Sequence, residues 1–322
     1  MRGWRVIRDQ ISEWGRGIRR LLGHPDLRSL KGERDCLRRD LRSVLGKTYS
    51  DLKGVGRSTA PDSGAAQPLE DYEAGCHSQN GEDGCLLEIL SRIGSTRGVV
   101  VEIGCGAAVE SNSALLISEF GWQGILIDAD GQQIMKAKEF YRAENVLDSV
   151  QLNQCMVSPE NADGLISEML LGRDVNVISI DVDGWDFWIW NALASYRPAV
   201  FVIEVNASFG SEASVTIPYS YSALGHDPYH HEFRGWHHGA SVSAMVALGK
   251  RLGYSLVHIE SSGTNAFFVH NEAMNSSLKE IEPQQAWRPH QFRSRRHSPE
   301  KQEEILSGTP VIKISENGVP ES

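Results

Sequence analysis

Cysteine is scarce in this 322-residue chain: five residues, at 36, 76, 85, 105 and 155, odd in number and without CxxC spacing. That excludes a disulfide framework and a standard zinc site, and fits reduced thiols in a cytosolic protein. No uninterrupted apolar run approaches the roughly 20 residues of a membrane-spanning helix. The N-terminus also lacks the apolar core and small-residue cleavage site of a secretory signal. A basic body is missing too. Residues 1–57 hold 15 Lys/Arg against 7 Asp/Glu, but the remainder holds 17 against 35, which argues against nucleic-acid binding. The last absence is a single glycine. Residues 99–108 read Val-Val-Val-Glu-Ile-Gly-Cys-Gly-Ala-Ala, and a nicotinamide-dinucleotide turn would need another glycine three places after Gly106; Val109 stands there.

What is present is an apolar β-branched run that reaches Glu102 and opens into the turn Gly104-x-Gly106. Such a turn lets backbone approach a ligand closely at the end of a first parallel strand. Downstream, strands at 98–103, 124–128, 150–157, 175–181 and 199–205 alternate with helices at 82–93, 113–119, 131–142, 160–171 and 186–195. This pattern predicts a doubly wound, mostly parallel α/β sheet. Helix 240–252 and two strands at 255–260 and 264–270, joined by Ser261-Ser262-Gly263, predict an antiparallel edge. The expected organisation is a basic helical extension (1–53), a linker (54–71), the α/β domain (72–282) and a mobile polar tail (283–322). In the extension Trp4, Ile7, Ile11, Trp14, Ile18 and Leu21 form one helical stripe, and Leu27, Leu30, Leu37, Leu41 and Val44 continue it to Gly46. A hairpin packed on the domain or on a second copy is the first reading. A peripheral membrane contact through residues 1–46 is the second, and a disordered leader the third.

Carboxylates supply the candidate chemistry. The second strand ends at Asp128, 24 residues after Gly104, where an acid accepts hydrogen bonds from ribose hydroxyls; capping the next helix is the plainer alternative. The fourth strand ends as Ile180-Asp181-Val182-Asp183-Gly184-Trp185-Asp186, three close carboxylates at a strand's C-terminal edge, where open α/β sheets bind ligands. They suit a general base, contacts to a cationic ligand, or a metal. The loop 206–238 carries His226, His230, His231, His237 and His238. Its spacing matches no standard zinc pattern, so no residue is assigned to a metal, whereas His237 or His238 suits a general base.

Taken together, acid-x-Gly-x-Gly at the first strand resembles motif I of S-adenosylmethionine-dependent methyltransferases. Ser78-Gln79-Asn80-Gly81-Glu82-Asp83-Gly84, Val101 to Gly104, Ser111-Asn112-Ser113, Ile180 to Asp186, Val202-Ile203-Glu204-Val205-Asn206, Gly239-Ala240-Ser241 and Asn265-Ala266-Phe267-Phe268 resemble the FkbM-type methyltransferase family in order and spacing. Asp183, where many members carry Glu, and Ala108, in place of a third glycine, depart from its pattern. The resemblance implies a Rossmann-like methyltransferase sheet and S-adenosylmethionine as cofactor. It also implies O-methylation of a small-molecule or glycan acceptor. Gln79, Asp83, Glu102, Gly104, Gly106 and Asp128 would then serve the cofactor, and Asp181 and Asp183 with His237 or His238 the acceptor hydroxyl. A metal-dependent nucleotide-sugar glycosyltransferase using Asp181 and Asp183 is the alternative. A non-catalytic binding module is the third reading. The expected setting is cytoplasmic, with or without peripheral membrane contact.

Overall fold

The structure, a computed structural model, describes residues 27–53, 67–219 and 236–321. The first helical stripe of the extension, most of the linker, and His226, His230 and His231 lie outside these residues. Helix α1 (Leu27–Thr48) precedes α2 (Glu82–Ile93), β1 (Val99–Ile103), α3 (Ala114–Phe120), β2 (Gln123–Asp128) and α4 (Gly131–Ala143). Then come β3 (Val150–Gln154), α5 (Ala162–Leu170), β4 (Val177–Ile180), α6 (Asp186–Ala192), β5 (Val200–Glu204) and β6 (Val215–Thr216). The chain closes with α7 (Val242–Leu252), β7 (Tyr254–Ile259), β8 (Asn265–His270), α8 (Pro283–Ala286), α9 (Gln291–Ser294), α10 (Pro299–Leu306) and β9 (Ile312–Lys313).

Seven strands form one sheet in the order β3-β2-β1-β4-β5-β8-β7. The first five are parallel, and β8 pairs antiparallel with both β5 and β7. This is the Rossmann-like, doubly wound sheet with an antiparallel edge that the sequence predicts. Side chains alternate between two cores, as the period of two along a strand requires. Val101, Ile103, Ile125, Ile127, Ile178, Ile180, Phe201 and Ile203 face α5, α6 and α7. Val100, Leu126, Val177, Val200 and Val202 face α1 to α4. Because both faces are covered, the central strands β1, β4 and β5 are buried along their length and read in sequence as largely apolar runs, whereas the edge strand β3 does not. Trp190 of α6 anchors the first core, its ring centroid 4.8 Å from that of Phe268 and 5.3 Å from that of Phe201.

The order reverses beside β1, since β1 leads outward to β2 while β4 lies on its other side. A crevice opens at such a reversal, outside the C-terminal ends of the strands. A second depression, about 650 Å³, lies at the opposite end of the sheet among Arg173, Asn176 and Arg197.

Three sequence expectations need correction. The third strand stops at Gln154 rather than 157, because its partner β2 ends at Asp128, which pairs with Gln154. Helix α1 runs past Gly46 and buries Leu41 and Leu45, with Tyr49 and Leu52 beyond it. Arg42 pins α1 to the domain through Glu119 and, at 2.8 Å, Glu144. Residues 283–321 are not a loose tail. Ser298 caps α10 with Pro299 at its first turn, Ala286, Leu306 and Ile314 are buried, and β9 pairs with β6. Trp287 donates to the Ala207 carbonyl at 3.1 Å, and Ser208 donates to the buried Gln302 at 2.7 Å. The segment docks by specific hydrogen bonds with few apolar residues, which is why its composition reads as disordered. Among the described residues no helix is long and apolar enough to cross a membrane.

Truncation of Leu306, which packs on Phe209 and Ile217, tests this docking. Leu306→Ala is expected to lower unfolding stability by about 2–3 kcal/mol in urea titration. A loss below about 0.5 kcal/mol, the level of a surface change, would contradict it.

Candidate functional site

The crevice is a cleft of about 1090 Å³ running from the glycine turn after β1, past Asp128, to Asp181, Asp183, Trp185 and Glu204. Its first wall is built from the close approach of two strand ends. The amides of Gly104 and Cys105 both donate to the Ile127 carbonyl, at 2.8 and 3.1 Å. Gly104 has φ +85°, and a Cβ there would overlap the Asp181 carbonyl oxygen. Gly106, at φ +53°, has open space where a Cβ would stand. Glycine is therefore demanded at 104 by packing and at 106 by conformation and access.

Asp128 closes this turn. Its Oδ2 accepts the Gly106 amide at 2.8 Å and its Oδ1 the Asp130 amide at 2.8 Å. Each oxygen keeps a second lone pair for a ligand hydroxyl. The helix-capping role weighed as its alternative belongs instead to Asp130, whose side chain accepts from Gln132 at the start of α4. Beside Asp128 the half-exposed Val109 and Met156 line the cleft.

Glu102 and Asp83 stand outside the cleft lining. Glu102 faces the second core and accepts from Ser111 Oγ at 2.6 Å, the Asn112 amide at 2.8 Å and Ser113. Asp83 accepts three consecutive amides, Cys76, His77 and Ser78, at 2.7, 2.7 and 2.9 Å. Burial raises both carboxyls, and the hydrogen bonds oppose the shift. Both therefore shape the cleft from behind: the loop that Asp83 holds accepts the Glu110 amide on the His77 carbonyl and leaves Gln79 exposed at the rim.

The reaction edge also divides into two kinds of carboxylate. Asp186, fully buried, accepts the Val182 and Gly184 amides at 3.0 and 3.1 Å, so it organises the loop. Burial nevertheless pushes it up to about 6. Asp181 and Asp183 line the cleft, and they are joined there by Glu204 from the end of β5, which sequence reasoning did not select as a site residue. Carboxylate oxygens of these three lie within 4.8 Å of one another. Burial, then Asp186 and Asp183, hold Asp181 well above the ordinary carboxylate range; burial and Asp181 do the same to Glu204. Asp183 has φ +55°, a left-handed conformation that Asp and Asn tolerate better than most residues.

The two histidines separate. His237 points its Nε2 at the Pro310 carbonyl, 2.8 Å away, outside the cleft lining. His238 lines the cleft, yet its Nε2 faces Arg293 Nη2 at 2.6 Å. Since guanidinium only donates, Nε2 must accept and Nδ1 carries the proton. Burial, aided by Arg293, His290 and His237, pulls His238 down to about 3. It is a neutral donor at Nδ1, and serving as a base would require breaking the Arg293 bond. Arg293, which also donates to Asn206 Oδ1 and Ser208 Oγ at 2.9 Å each, comes from the C-terminal segment together with His290 and Phe292. No sequence signal marked it, because its neighbours in the chain resemble a polar tail.

Two predictions follow from this geometry. Gly104→Ala should destabilise the fold by upwards of about 3 kcal/mol through overlap plus backbone strain, and Gly106→Ala by only about 1 kcal/mol. Equal losses in urea titration would contradict the packing. The ring nitrogens of His238 should hold constant NMR shifts between pH 5 and 8, with the proton on Nδ1; a titration near 6.5 would contradict the assigned tautomer.

No protein-family model matches the chain, and no curated protein matches it. Solved structures do. One is a putative O-methyltransferase from Klebsiella pneumoniae, 15% identical over 70% of this chain and 90% of that chain, with TM-score 0.36. Another is an O-methyltransferase family protein from Burkholderia thailandensis, 10% identical over 53% of this chain and 50% of that one, TM-score 0.35. A third is a SAM-dependent methyltransferase from Geobacter sulfurreducens in complex with S-adenosyl-L-homocysteine, 17% identical over 50% and 58%, TM-score 0.30. The chain thus spans only 50% and 58% of the length of the last two. Overlaps of this size identify neither a family nor an acceptor.

Proposed function

We propose that the chain is an S-adenosylmethionine-dependent methyltransferase acting on a hydroxyl oxygen of a sugar, glycan or secondary metabolite. One observation carries the reading: at the reversal point of the sheet, the Gly104-x-Gly106 turn and Asp128 share one cleft with a carboxylate edge. The residues present fit the cofactor. Gly106 leaves room for close backbone approach, and Asp128 keeps free lone pairs for two ribose hydroxyls. Val109 and Met156 offer apolar surface for a base beside Asp128. Acidic residues across the cleft favour a cationic ligand over a phosphate-bearing one. Bound there, S-adenosylmethionine supplies an electrophilic methyl group on a sulfonium that departs as a neutral thioether.

The chain's own residues then have modest tasks. Asp181 orients the acceptor hydroxyl and is placed to take its proton. Asp183 and Glu204 lie beside it and Trp185 lines the wall. The segment carrying His290, Phe292 and Arg293 covers the acceptor side and limits water. Alignment of the reacting atoms accounts for most of the rate under this scheme.

Calorimetry with S-adenosylhomocysteine tests the reading. The wild type should bind, and Asp128→Ala should bind at least tenfold more weakly, about 1.4 kcal/mol. Absence of binding to the wild type would overturn it.

A further inference from the structure

Buried carboxylates in this protein are mostly held by donors: Glu102 by residues 111–113, Asp83 by three amides, Glu82 by Asn80 and Asn265, Asp186 by Val182 and Gly184, and Glu260 by Ser262, Thr264 and Asn265. The cleft trio differs. Among the described residues, Oε2 of Glu204 has no hydrogen-bond partner although the residue is only 8% exposed. One carboxylate oxygen from each of Asp181, Asp183 and Glu204 lies within 4.8 Å of the other two. Three carboxylates so close repel unless a shared proton or a cation lies between them. A second observation comes from outside the trio. His238, 3% exposed, has its Nδ1 without a hydrogen-bond partner among the described residues and directs it at Glu204 Oε2 from 3.7 Å. That is too long for a hydrogen bond, yet the arrangement matches an outer-sphere donor that steadies a metal-ligating carboxylate.

We propose that Asp181, Asp183 and Glu204 bind one divalent cation of the Mg²⁺ or Mn²⁺ class on the acceptor side of the cleft. The donor set is three hard oxygens with neither thiolate nor imidazole among them, which favours these ions over zinc or copper. The ligands come from the ends of β4 and β5, two adjacent strands locked in register from Val177↔Val200 to Ile180↔Ile203. Three protein oxygens leave half of an octahedral shell for water or acceptor oxygens, and all three residues line the cleft through which an acceptor enters. Arg293 contributes one positive charge nearby against the three carboxyls and the adjacent Asp186, so a dication offsets much of the remaining negative charge. The ion site stands on the carboxylates themselves. Its use in holding an acceptor hydroxyl and lowering its pKa rests on the methyl-transfer reading above.

The test uses the full chain stripped of metal with EDTA. Loss of the free Mn²⁺ signal in electron paramagnetic resonance should report one ion per chain, displaced by Mg²⁺. Affinity should fall at least about tenfold in Glu204→Gln and in Asp183→Asn. Mg²⁺ should raise the melting temperature of the wild type, and of neither variant to the same extent. The metal-free variants should melt no lower than the metal-free wild type, because each removes a repelling charge; should one fail to fold, the other carries the comparison. No Mn²⁺ bound, or equal binding by wild type and both variants, would overturn the proposal. S-adenosylhomocysteine calorimetry on the same samples separates the two readings. Cofactor binding without Mn²⁺ binding removes the ion site alone, and Mn²⁺ binding without cofactor binding removes the methyl-transfer reading alone.

Discussion

Everything at the cleft depends on how closely the turn after β1 can lie against the end of β4. Gly104 sits over the carbonyl of Asp181 with no room for a side chain, while its amide and that of Cys105 reach across to Ile127 on β2. One glycine thus ties three strand ends together. It sets Asp128 on one side of the turn and Asp181 on the other, so the Asp128 half and the acidic half of the cleft share a single edge. Gly106, by contrast, has no packing constraint, and its open space faces the cleft. The two glycines look alike in sequence and answer to different forces.

The second organising theme is the use of buried carboxylates to shape loops. Glu102, Asp83, Asp186 and Glu260 each gather two or more donors from nearby backbone or hydroxyl groups. Each lies beside a strand end or helix start, where amides lack partners. Leaving such amides unpaired in the interior would cost about 1–3 kcal/mol apiece. These acids are therefore expensive to replace although none of them lines the cleft. Against that background the Asp181, Asp183 and Glu204 group stands apart, since its charge is directed into the cleft and away from the backbone.

Much of the fold was legible in the sequence, for physical reasons. A parallel sheet covered on both faces demands continuous apolar strands, and Val99–Ile103, Gln123–Asp128 and Val200–Glu204 show them. The acids at the ends of β2 and β4 were legible because strand ends form the crevice. Glu102 and Asp83 have the right residue type and the right motif, and only their hydrogen bonds reveal that they brace the turn and loop from behind the cleft. Glu204 was hidden inside a strand-end pattern that reads equally well as a loop start. The segment 283–321 was missed because its buried residues, Ala286, Leu306 and Ile314, are too widely spaced to create a period. Arg293 reaches the cleft through tertiary docking that no local pattern records.

Under the proposed function this cleft holds a methyl-donor nucleoside between Asp128 and the carboxylate edge. A crystal structure with S-adenosylhomocysteine is the decisive measurement. Ribose hydroxyls are expected on the Asp128 carboxylate, with the sulfur turned toward Asp181, Asp183 and Glu204. A nucleoside bound elsewhere, or a ribose held by other groups with Asp128 untouched, would contradict it.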